Sequence, residues 1–177
     1  MKNNMLHLYI GDGKGKTCTA YGLILRALGH GFKVSVFSFL KSEKSGELIM
    51  LRKLKESFYS IDINVAKKEH NFFSFLSDEE KKEVQAEVSE LFEKFKDTVI
   101  NSKADIIILD EIIDAVNLKL IDEDELIKIL LLRKSEIILT GRNPSEKLTE
   151  IADYISDVNK IKHPYDKGVP ARKGIEF

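Results

Sequence analysis

The chain has 177 residues and no tryptophan, and Cys18 is its only cysteine. One cysteine excludes an intrachain disulfide and a zinc centre built from cysteines. No stretch approaches the ~18 consecutive apolar residues of a membrane-spanning helix, and the N-terminus lacks the apolar core of a secretion signal. We therefore expect a cytoplasmic protein that has no membrane partner.

An excess of charge of either sign is also missing. The 28 basic and 29 acidic side chains give a net charge of −1, so no electrostatic argument supports binding to nucleic acid or to a membrane surface. Hydrophobic residues make up 43% of the chain, enough at this length to bury a proper core. We expect one domain that spans residues 1–177.

What the chain does contain is a turn rich in glycine and lysine, between a short apolar strand and an amphipathic helix. Its residues are Gly11, Asp12, Gly13, Lys14, Gly15, Lys16 and Thr17, followed by Cys18. In a Gly-Lys-Thr turn at a helix N-terminus, backbone N–H groups cradle phosphates, the lysine adds positive charge and the threonine hydroxyl faces a magnesium ion. We predict that these residues bind the phosphates of ATP.

This loop is a variant of the usual phosphate-binding pattern. The pattern G-x-x-x-x-G-K-[ST] would place its first glycine at position 10, where the chain has Ile10. A dinucleotide-binding fingerprint fails as well, because Lys16 stands where G-x-G-x-x-G needs its third glycine. The alternative is a solvated turn that binds nothing, and the flanking strand and helix argue against it.

Strand and helix patterns alternate along the chain. Cys18, Tyr21, Leu25 and Leu28 form an apolar stripe on the first helix, so we expect Cys18 to be buried against a sheet. Besides the first strand, strands are predicted at residues 34–39, 61–65, 106–109, 137–139 and 154–158, and those at 106–109 and 137–139 are expected to be buried. The alternation predicts an α/β fold in which a parallel twisted sheet carries helices on both faces, as in P-loop (RecA-like) nucleotide-binding proteins.

Asp110 and Glu111 directly follow a strand of four apolar residues, Ile106-Ile107-Ile108-Leu109. Ligands of a parallel sheet bind at the carboxyl ends of its strands. One of the two carboxylates can therefore hold Mg²⁺, or Mn²⁺, together with Thr17. An acidic pair that caps a neighbouring loop is the alternative, and we expect Asp114 to lie on the surface.

Three more side chains follow strands or lie in the tail. Arg142 ends a buried strand and could grip phosphate oxygens, or it could pair with Glu146. Lys41 leaves the same two readings open, phosphate contact or a local ion pair. His163 lies in the tail, where a lone histidine is more often structural.

Three phenylalanines, Phe72, Phe73 and Phe75, precede a helix that Ser77 and Glu80 would cap. Such clusters usually belong to a core or staple a helix end. Their position in a loop after a strand also allows them to cover a flat apolar ligand.

Taken together, these motifs resemble the P-loop type of ATP:corrinoid adenosyltransferase, which acts on cob(I)yrinic acid a,c-diamide or cob(I)alamin. The resemblance spans nearly the whole chain and is most specific in the tail. The segments that carry it are residues 11–17, Gly29-His30-Gly31, Ser38-Phe39-Leu40-Lys41, Leu109-Asp110-Glu111, Thr140-Gly141-Arg142 and residues 152–177.

The resemblance implies that the 5′-deoxyadenosyl group of ATP is transferred to cobalt(I) of a reduced corrinoid and that triphosphate is released. ATP would lie reversed in the loop, a flavoprotein is a candidate reductant, and the enzyme would be a homodimer. Lys16, Glu111 and Arg142 would be catalytic. The metal ligands would come from Thr17, Glu111 and Asp110, and the corrinoid contacts from Lys41, Phe73 and Phe75.

The chain departs from the family in the aromatic loop, where members commonly have a Gly-Phe-Thr-Trp-like segment that displaces the lower ligand of cobalt. Phe73-Ser74-Phe75 gives the nearest spacing, and Phe72-Phe73 is the alternative. The N-terminal extension of longer members is nearly absent. Other functions compatible with the loop are a P-loop small-molecule kinase or ATP-dependent ligase, and a nucleotide-gated binding protein.

Overall fold

The computed structural model describes residues 4–41, 45–57, 60–66, 73, 76–101 and 103–176. Short runs rich in apolar residues form most of its strands. The strands are β1 (Leu6–Ile10), β2 (Val34–Ser38), β3 (Ile61–Val65), β4 (Ile106–Asp110), β5 (Glu136–Thr140) and β6 (Tyr154–Asp157).

The helices alternate with these strands, as the sequence pattern predicts. They are α1 (Lys16–Gly29), α2 (Gly46–Ser57), α3 (Asp78–Asn101), α4 (Ile112–Asn117), α5 (Glu123–Leu131) and α6 (Glu146–Glu150). A 3₁₀ turn at Pro164–Lys167 belongs to the tail. The short helix α4, directly after the acidic pair, and the 3₁₀ turn have no counterpart in the sequence prediction.

The six strands form one parallel sheet in the order β3-β2-β4-β5-β1-β6. The strand that leads into the glycine-rich loop, β1, is therefore separated from the strand that ends in Asp110, β4, by β5 alone. Because all strands run the same way, the ends of β1, β4 and β5 meet at one edge. This arrangement confirms the predicted α/β class.

Helices cover both faces of the sheet. On one face, α1 and α2 pack on side chains such as Val36, Ile108 and Ile138, whereas α3, α4, α5 and α6 pack on the opposite side chains, among them Phe37 and Leu109. Each fully buried aliphatic or phenylalanine side chain contributes about 1.5–3 kcal/mol to folding. The two cores pack against both faces of the sheet and thereby fix the positions of the strand ends at its carboxyl edge.

The predicted helix caps are present. The Glu80 N–H donates to Ser77 Oγ at 3.3 Å while the Ser77 N–H donates to Glu80 Oε2 at 2.7 Å, which is a capping box at the start of α3. Asp122 caps α5 by accepting from the Glu125 N–H at 2.8 Å. These local signals were readable from the sequence because they involve residues only three apart.

The predicted stripe on α1 is wrong in two positions. Cys18 is exposed, and Leu25 is 57% exposed, whereas Ala20, Tyr21, Ile24, Ala27 and Leu28 form the buried face. At Leu25 the predicted stripe is one position off, since its neighbour Ile24 is the buried residue. Cys18 lies in the first turn of α1, next to the glycine-rich loop. Among the described residues no helix is long and apolar enough to span a membrane.

Candidate functional site

A cavity of about 1010 Å³ opens at the carboxyl edge of the sheet. Its polar side draws on the glycine-rich loop, Lys41 after β2, the ends of β4 and β5, helix α4 and the tail. The apolar side is described below. The cavity brings together Lys16, Thr17, Glu111 and Arg142, although eight helices and strands of the described structure lie between Thr17 and Arg142 in the sequence.

The glycine-rich loop leads directly into α1, with Gly15 at the N-cap position. Thr19 is the residue whose N–H reaches back to the Gly15 carbonyl, at 2.8 Å. The amides of Lys16, Thr17 and Cys18 come before it and have no acceptor within the helix, because a helix leaves its first N–H groups without one. Together with the helix dipole, such amides favour an anion.

One amide of the loop is already used. The Gly13 N–H donates to the carbonyl oxygen of Val158 at 2.7 Å. A Cβ at position 13 would lie 2.5 Å from that same oxygen, so only glycine allows this approach. Nearby, the Lys160 N–H donates to Asp12 Oδ1 at 3.0 Å and thereby lowers the pKa of Asp12. The segment after β6 therefore holds the first half of the loop in place.

Lys16 lies partly buried and donates from Nζ to the Gly13 carbonyl at 3.0 Å. Burial lowers its pKa, and the positive charge of Arg142 lowers it further. Arg142 itself is exposed and lines the same cavity. Within the described part of the chain it forms no ion pair with Glu146. Two cations thus face one space that an anion would fill.

Asp110 is fully buried and accepts three hydrogen bonds. Thr17 Oγ1 and Thr140 Oγ1 donate to its Oδ1, at 3.0 and 2.6 Å, and Lys41 Nζ donates to its Oδ2 at 3.0 Å. Both carboxylate oxygens are therefore occupied. The predicted proximity of Thr17 to the acidic pair is confirmed, and Asp110 is the member that holds it.

Lys41 lies at this polar end of the cavity. Its ammonium donates to Asp110 and also to Thr17 Oγ1. Burial would lower the pKa of Lys41, but the charges of Asp110 and Glu111 and the bond to Asp110 outweigh it and raise the pKa. Of the two readings that the sequence leaves open for Lys41, the local ion pair is the one observed.

Glu111 has the opposite environment to that of Asp110, although the two are adjacent. Its backbone is left-handed, with φ of 62°, which is uncommon for a residue other than glycine. Burial and the charge of Asp110 raise its pKa to about 7. Its carboxylate makes no hydrogen bond or ion pair with another described residue. A cation bound in the cavity would therefore find the Glu111 carboxylate unpaired.

Asp114 was expected on the surface, and this is wrong. It lines the cavity from α4, and burial raises its pKa. The sequence did not reveal it because α4 was not predicted. A helix that begins directly after Glu111 returns residue 114 to the cavity side.

The other side of the cavity is apolar. Its lining comes from separate segments of the chain: Phe39, Leu40, Ala66, Phe73, Leu76, Val84 and Leu118. Phe73 packs against the core and reaches the cavity. Phe72 and Phe75, the other two predicted aromatic residues, lie outside the described residues.

The tail closes the cavity on the side of the glycine-rich loop, where it contributes His163, Ile175 and Glu176. Glu176 pairs with Lys14 at 3.2 Å, and hydrogen bonds from Arg172 lower the pKa of Glu176 to about 2. Sequence reasoning did not single out Glu176. Its pairing with Lys14 could not be predicted from local sequence, since Lys14 is at the other end of the chain.

Comparison with known proteins agrees with this geometry. Residues 2–177 match the family described as ATP:corrinoid adenosyltransferase BtuR/CobO/CobP. The chain belongs to this family. The resemblance drawn from the motifs is thereby confirmed, and the protein is an enzyme of the transferase class.

Individual members of the family align over most of their length. A corrinoid adenosyltransferase from Sinorhizobium sp is 32% identical over 174 residues, covering 94% of this chain and 77% of that protein. The corrinoid adenosyltransferase of Escherichia coli K12 is 31% identical, covering 99% and 87%. Corrinoid adenosyltransferase CobA of Salmonella typhimurium is 28% identical with the same coverage.

Among solved structures, the flagellar accessory protein FlaH of Methanocaldococcus jannaschii shares the fold. The match has a TM-score of 0.53 at 18% identity and covers 87% of this chain and 70% of FlaH. This likeness supports the P-loop α/β architecture only.

A divalent cation fits the polar end of the cavity. Carboxylate and hydroxyl oxygens are the donors that Mg²⁺ prefers. Glu111 supplies a carboxylate that no described residue pairs with, and Thr17 supplies a hydroxyl that lines the same cavity. Among the residues that the structure describes, no group of three or more His, Cys, Asp or Glu side chains could hold a metal. A cation here would therefore take its remaining ligands from a bound nucleotide or water.

Proposed function

We propose that this enzyme transfers the 5′-deoxyadenosyl group of ATP to the cobalt(I) of a reduced corrinoid and releases triphosphate. The observation that carries the proposal is that one cavity joins a cationic phosphate-binding end to an apolar end. A kinase would need a polar site for a hydroxyl acceptor beside the phosphates. An apolar wall suits a flat macrocycle instead.

The reaction balances without a nucleophile from the chain. The cobalt(I) electron pair attacks C5′ of ATP, a cobalt–carbon bond forms and the bond from C5′ to the triphosphate oxygen breaks. The bonding electrons leave with the triphosphate, and the cobalt becomes formally cobalt(III). The chain must aim C5′ at the cobalt and stabilise the negative charge of the leaving group.

We assign the stabilisation of the leaving group to the cationic end of the cavity. Lys16, Arg142 and the first amides of α1 face the space where the triphosphate would lie, and each is in place before the reaction begins. Charge that collects on the leaving group meets preorganised donors in a partly buried site, where such donors act most strongly. ATP would lie with its ribose toward the apolar end, so that C5′ can meet the corrinoid.

We propose that Glu111 and Thr17 hold Mg²⁺, or Mn²⁺ in its place, together with the phosphates. When bound, the ion supplies charge neutralisation on the triphosphate oxygens. Of the two carboxylates, Asp110 is less suited to direct ligation because it accepts three hydrogen bonds, from Thr17, Thr140 and Lys41, whereas the Glu111 carboxylate accepts none from a described residue. Its role would be to position Thr17 and to keep Lys41 charged.

At the apolar end, Phe73 would contact the corrinoid and help displace its lower ligand. A cobalt without that ligand is easier to reduce to the reactive cobalt(I) state. A flavoprotein would supply the electrons. The enzyme would be a homodimer, which is supported by apolar tail side chains that a second copy could cover, since Ile161 is 99% and Tyr165 is 72% exposed.

The test is incubation of the purified protein with ATP, Mg²⁺ and chemically reduced cobalamin. We expect a light-sensitive alkylcobalamin and free tripolyphosphate in equal amounts. ADP or inorganic phosphate instead would favour a kinase or ligase. Nucleotide binding without corrinoid-dependent consumption of ATP would favour a nucleotide-gated binding protein.

A further inference from the structure

The buried threonine at the end of β5, Thr140, connects the two halves of the acidic pair. Its hydroxyl donates to Asp110 Oδ1 at 2.6 Å and accepts the Glu111 backbone N–H at 2.9 Å. Thr140 is 1% exposed, so neither bond is replaced by solvent. A hydroxyl has one proton to donate; here it donates to Asp110, the last residue of β4, and accepts from Glu111, the residue that follows.

The position of β5 explains why this residue can act there. Leu109 of β4 pairs in register with Leu139 of β5, so Asp110 and Thr140 are the next neighbours across the sheet. On the other side, β5 borders β1, which leads into the glycine-rich loop. Thr140 therefore lies between the strand that carries Asp110 and the strand that carries the loop.

The Glu111 backbone needs such support. Its left-handed conformation is unfavourable for a glutamate and persists only where the surroundings fix it. The hydrogen bond from its N–H to Thr140 Oγ1 restrains this peptide group. A left-handed turn at this point also decides in which direction the Glu111 side chain leaves the strand end.

The two residues that follow β5, Gly141 and Arg142, also contact α4. Gly141 adopts φ of 151°, and a Cβ there would lie 2.6 Å from the Ile113 Cβ. Asn117 Nδ2 donates to the carbonyl of Arg142 at 2.8 Å. The residues at the end of β5 therefore pack along the segment from Glu111 through α4, and Thr140 is the buried residue of this contact.

We propose that Thr140 is a positioning residue for the metal site, because it fixes the Glu111 backbone so that the carboxylate faces the cation beside Thr17. This inference rests on the proposed function, in which Glu111 and Thr17 hold the divalent ion. Thr140 itself touches neither metal nor substrate.

The test compares Thr140→Val, which keeps the shape but removes the hydroxyl, with Thr140→Ser, which keeps the hydroxyl. Mn²⁺ binding in the presence of ATP is measured from the electron paramagnetic resonance signal of free Mn²⁺. We expect Thr140→Val to raise the Mn²⁺ Kd by about tenfold or more, as losses of outer-shell partners do, and Thr140→Ser to restore the Kd nearly to the wild-type value.

A matched control lies at the opposite end of the same strand. Ser135, 5% exposed and directly before β5, donates from Oγ to the Ala104 carbonyl at 2.7 Å. Ser135→Ala also removes a buried hydroxyl bond, so it should lower Tm while leaving the Mn²⁺ Kd unchanged. If Thr140→Val lowers Tm as Ser135→Ala does and keeps the wild-type Mn²⁺ Kd, Thr140 is merely structural and the inference is wrong.

The two proposals fail separately. A wild-type protein that binds Mn²⁺ with ATP but alkylates no cobalamin overturns the proposed function, while the Thr140 series still decides on the positioning role. An active wild type with unchanged Mn²⁺ binding in Thr140→Val overturns only the inference. Should Thr140→Val not fold, Thr140→Ala replaces it with the same expected change.

Discussion

The polar and apolar ends of the cavity are built on different principles. At the polar end, hydrogen bonds of 2.6–3.0 Å connect Asp110 to Thr17, Thr140 and Lys41, so that side chains from different elements have fixed positions. The apolar end draws on side chains such as Phe39, Phe73 and Leu118, which make only van der Waals contacts. Directional bonds demand one geometry, whereas apolar contacts tolerate repacking.

This difference predicts that single substitutions at the polar end cost more than those at the apolar end. The largest effect is expected for Lys16→Ala, which removes a partly buried cation from the polar end of the cavity. We expect kcat to fall by about 10²-fold or more, as when one preorganised donor to a developing charge is lost. Alkylcobalamin formation under saturating ATP measures it.

Lys55→Ala is the control for this substitution, since Lys55 is an exposed lysine in the last turn of α2. Its rate should match that of the wild type. Near-normal turnover of Lys16→Ala would show that the glycine-rich loop does not stabilise the leaving group.

Glu111→Gln is expected to have the next largest effect. The amide keeps the shape but cannot supply the negative charge that attracts a divalent cation, so the Mg²⁺ concentration for half-maximal rate should rise roughly tenfold to 100-fold. A titration of the rate with Mg²⁺ at fixed ATP measures this change. An unchanged requirement for Mg²⁺ would remove Glu111 from the metal site.

At the apolar end, Phe73→Ala should have a smaller and more selective effect. Loss of the buried ring contact should slow the reaction of corrinoids that carry a lower ligand by about tenfold, which corresponds to the lower part of the burial energy of one phenylalanine. The KM for ATP should stay unchanged. Rates with cobalamin and with a corrinoid that lacks the lower ligand give the comparison.

Phe73→Leu, which retains most of the apolar volume, should recover much of the loss. An equal decrease for both kinds of corrinoid would indicate that Phe73 supports the fold, against which it also packs.

The smallest effect concerns stability and pH. Because the pKa of Glu111 is raised from 4.5 to about 7 in the folded protein, the unfolded chain loses this proton at lower pH than the folded chain does. The free energy of unfolding should therefore fall as pH rises from about 4.5 to about 7 and then level off. Denaturant unfolding of the protein without nucleotide measures this dependence.

Glu111→Gln should lack this part of the pH dependence, since an amide does not titrate. Parallel pH profiles for the wild type and the variant would show that Glu111 ionises normally and that its surroundings do not require a cation.

The sequence predicted the local features of the fold well. The Ser77–Glu80 and Asp122–Glu125 caps and the strand ending in Asp110 depend on neighbours within a few residues, and all were found. Leu25 was misplaced because a short apolar stripe does not fix the rotation of a helix. Asp114 was misplaced because α4 follows a left-handed Glu111, and no residue type announces that conformation.

The candidate site was predictable in its members but not in their arrangement. Thr17 and Asp110 were expected to lie together, and their 3.0 Å hydrogen bond confirms it. Lys41 forms an ion pair with Asp110, and a local ion pair was one of the two interpretations that the sequence allowed. Whether Lys41 and Phe73 contact a corrinoid remains a prediction. Thr140 and Glu176 gain their importance from partners about 30 and 160 residues away, which no local pattern reveals.

By itself, the sequence determined the class of fold, the glycine-rich loop between β1 and α1 and the family to which the chain belongs. These depend on periodicity and short motifs, which act over a few residues. Only the tertiary structure decided that Asp110 accepts three hydrogen bonds whereas the Glu111 carboxylate accepts none from a described residue. The reason is that the strand order places Thr140 between Asp110 and the glycine-rich loop. A buried hydrogen bond forms only at certain distances and angles between donor and acceptor, and the order of strands in the sheet sets them here.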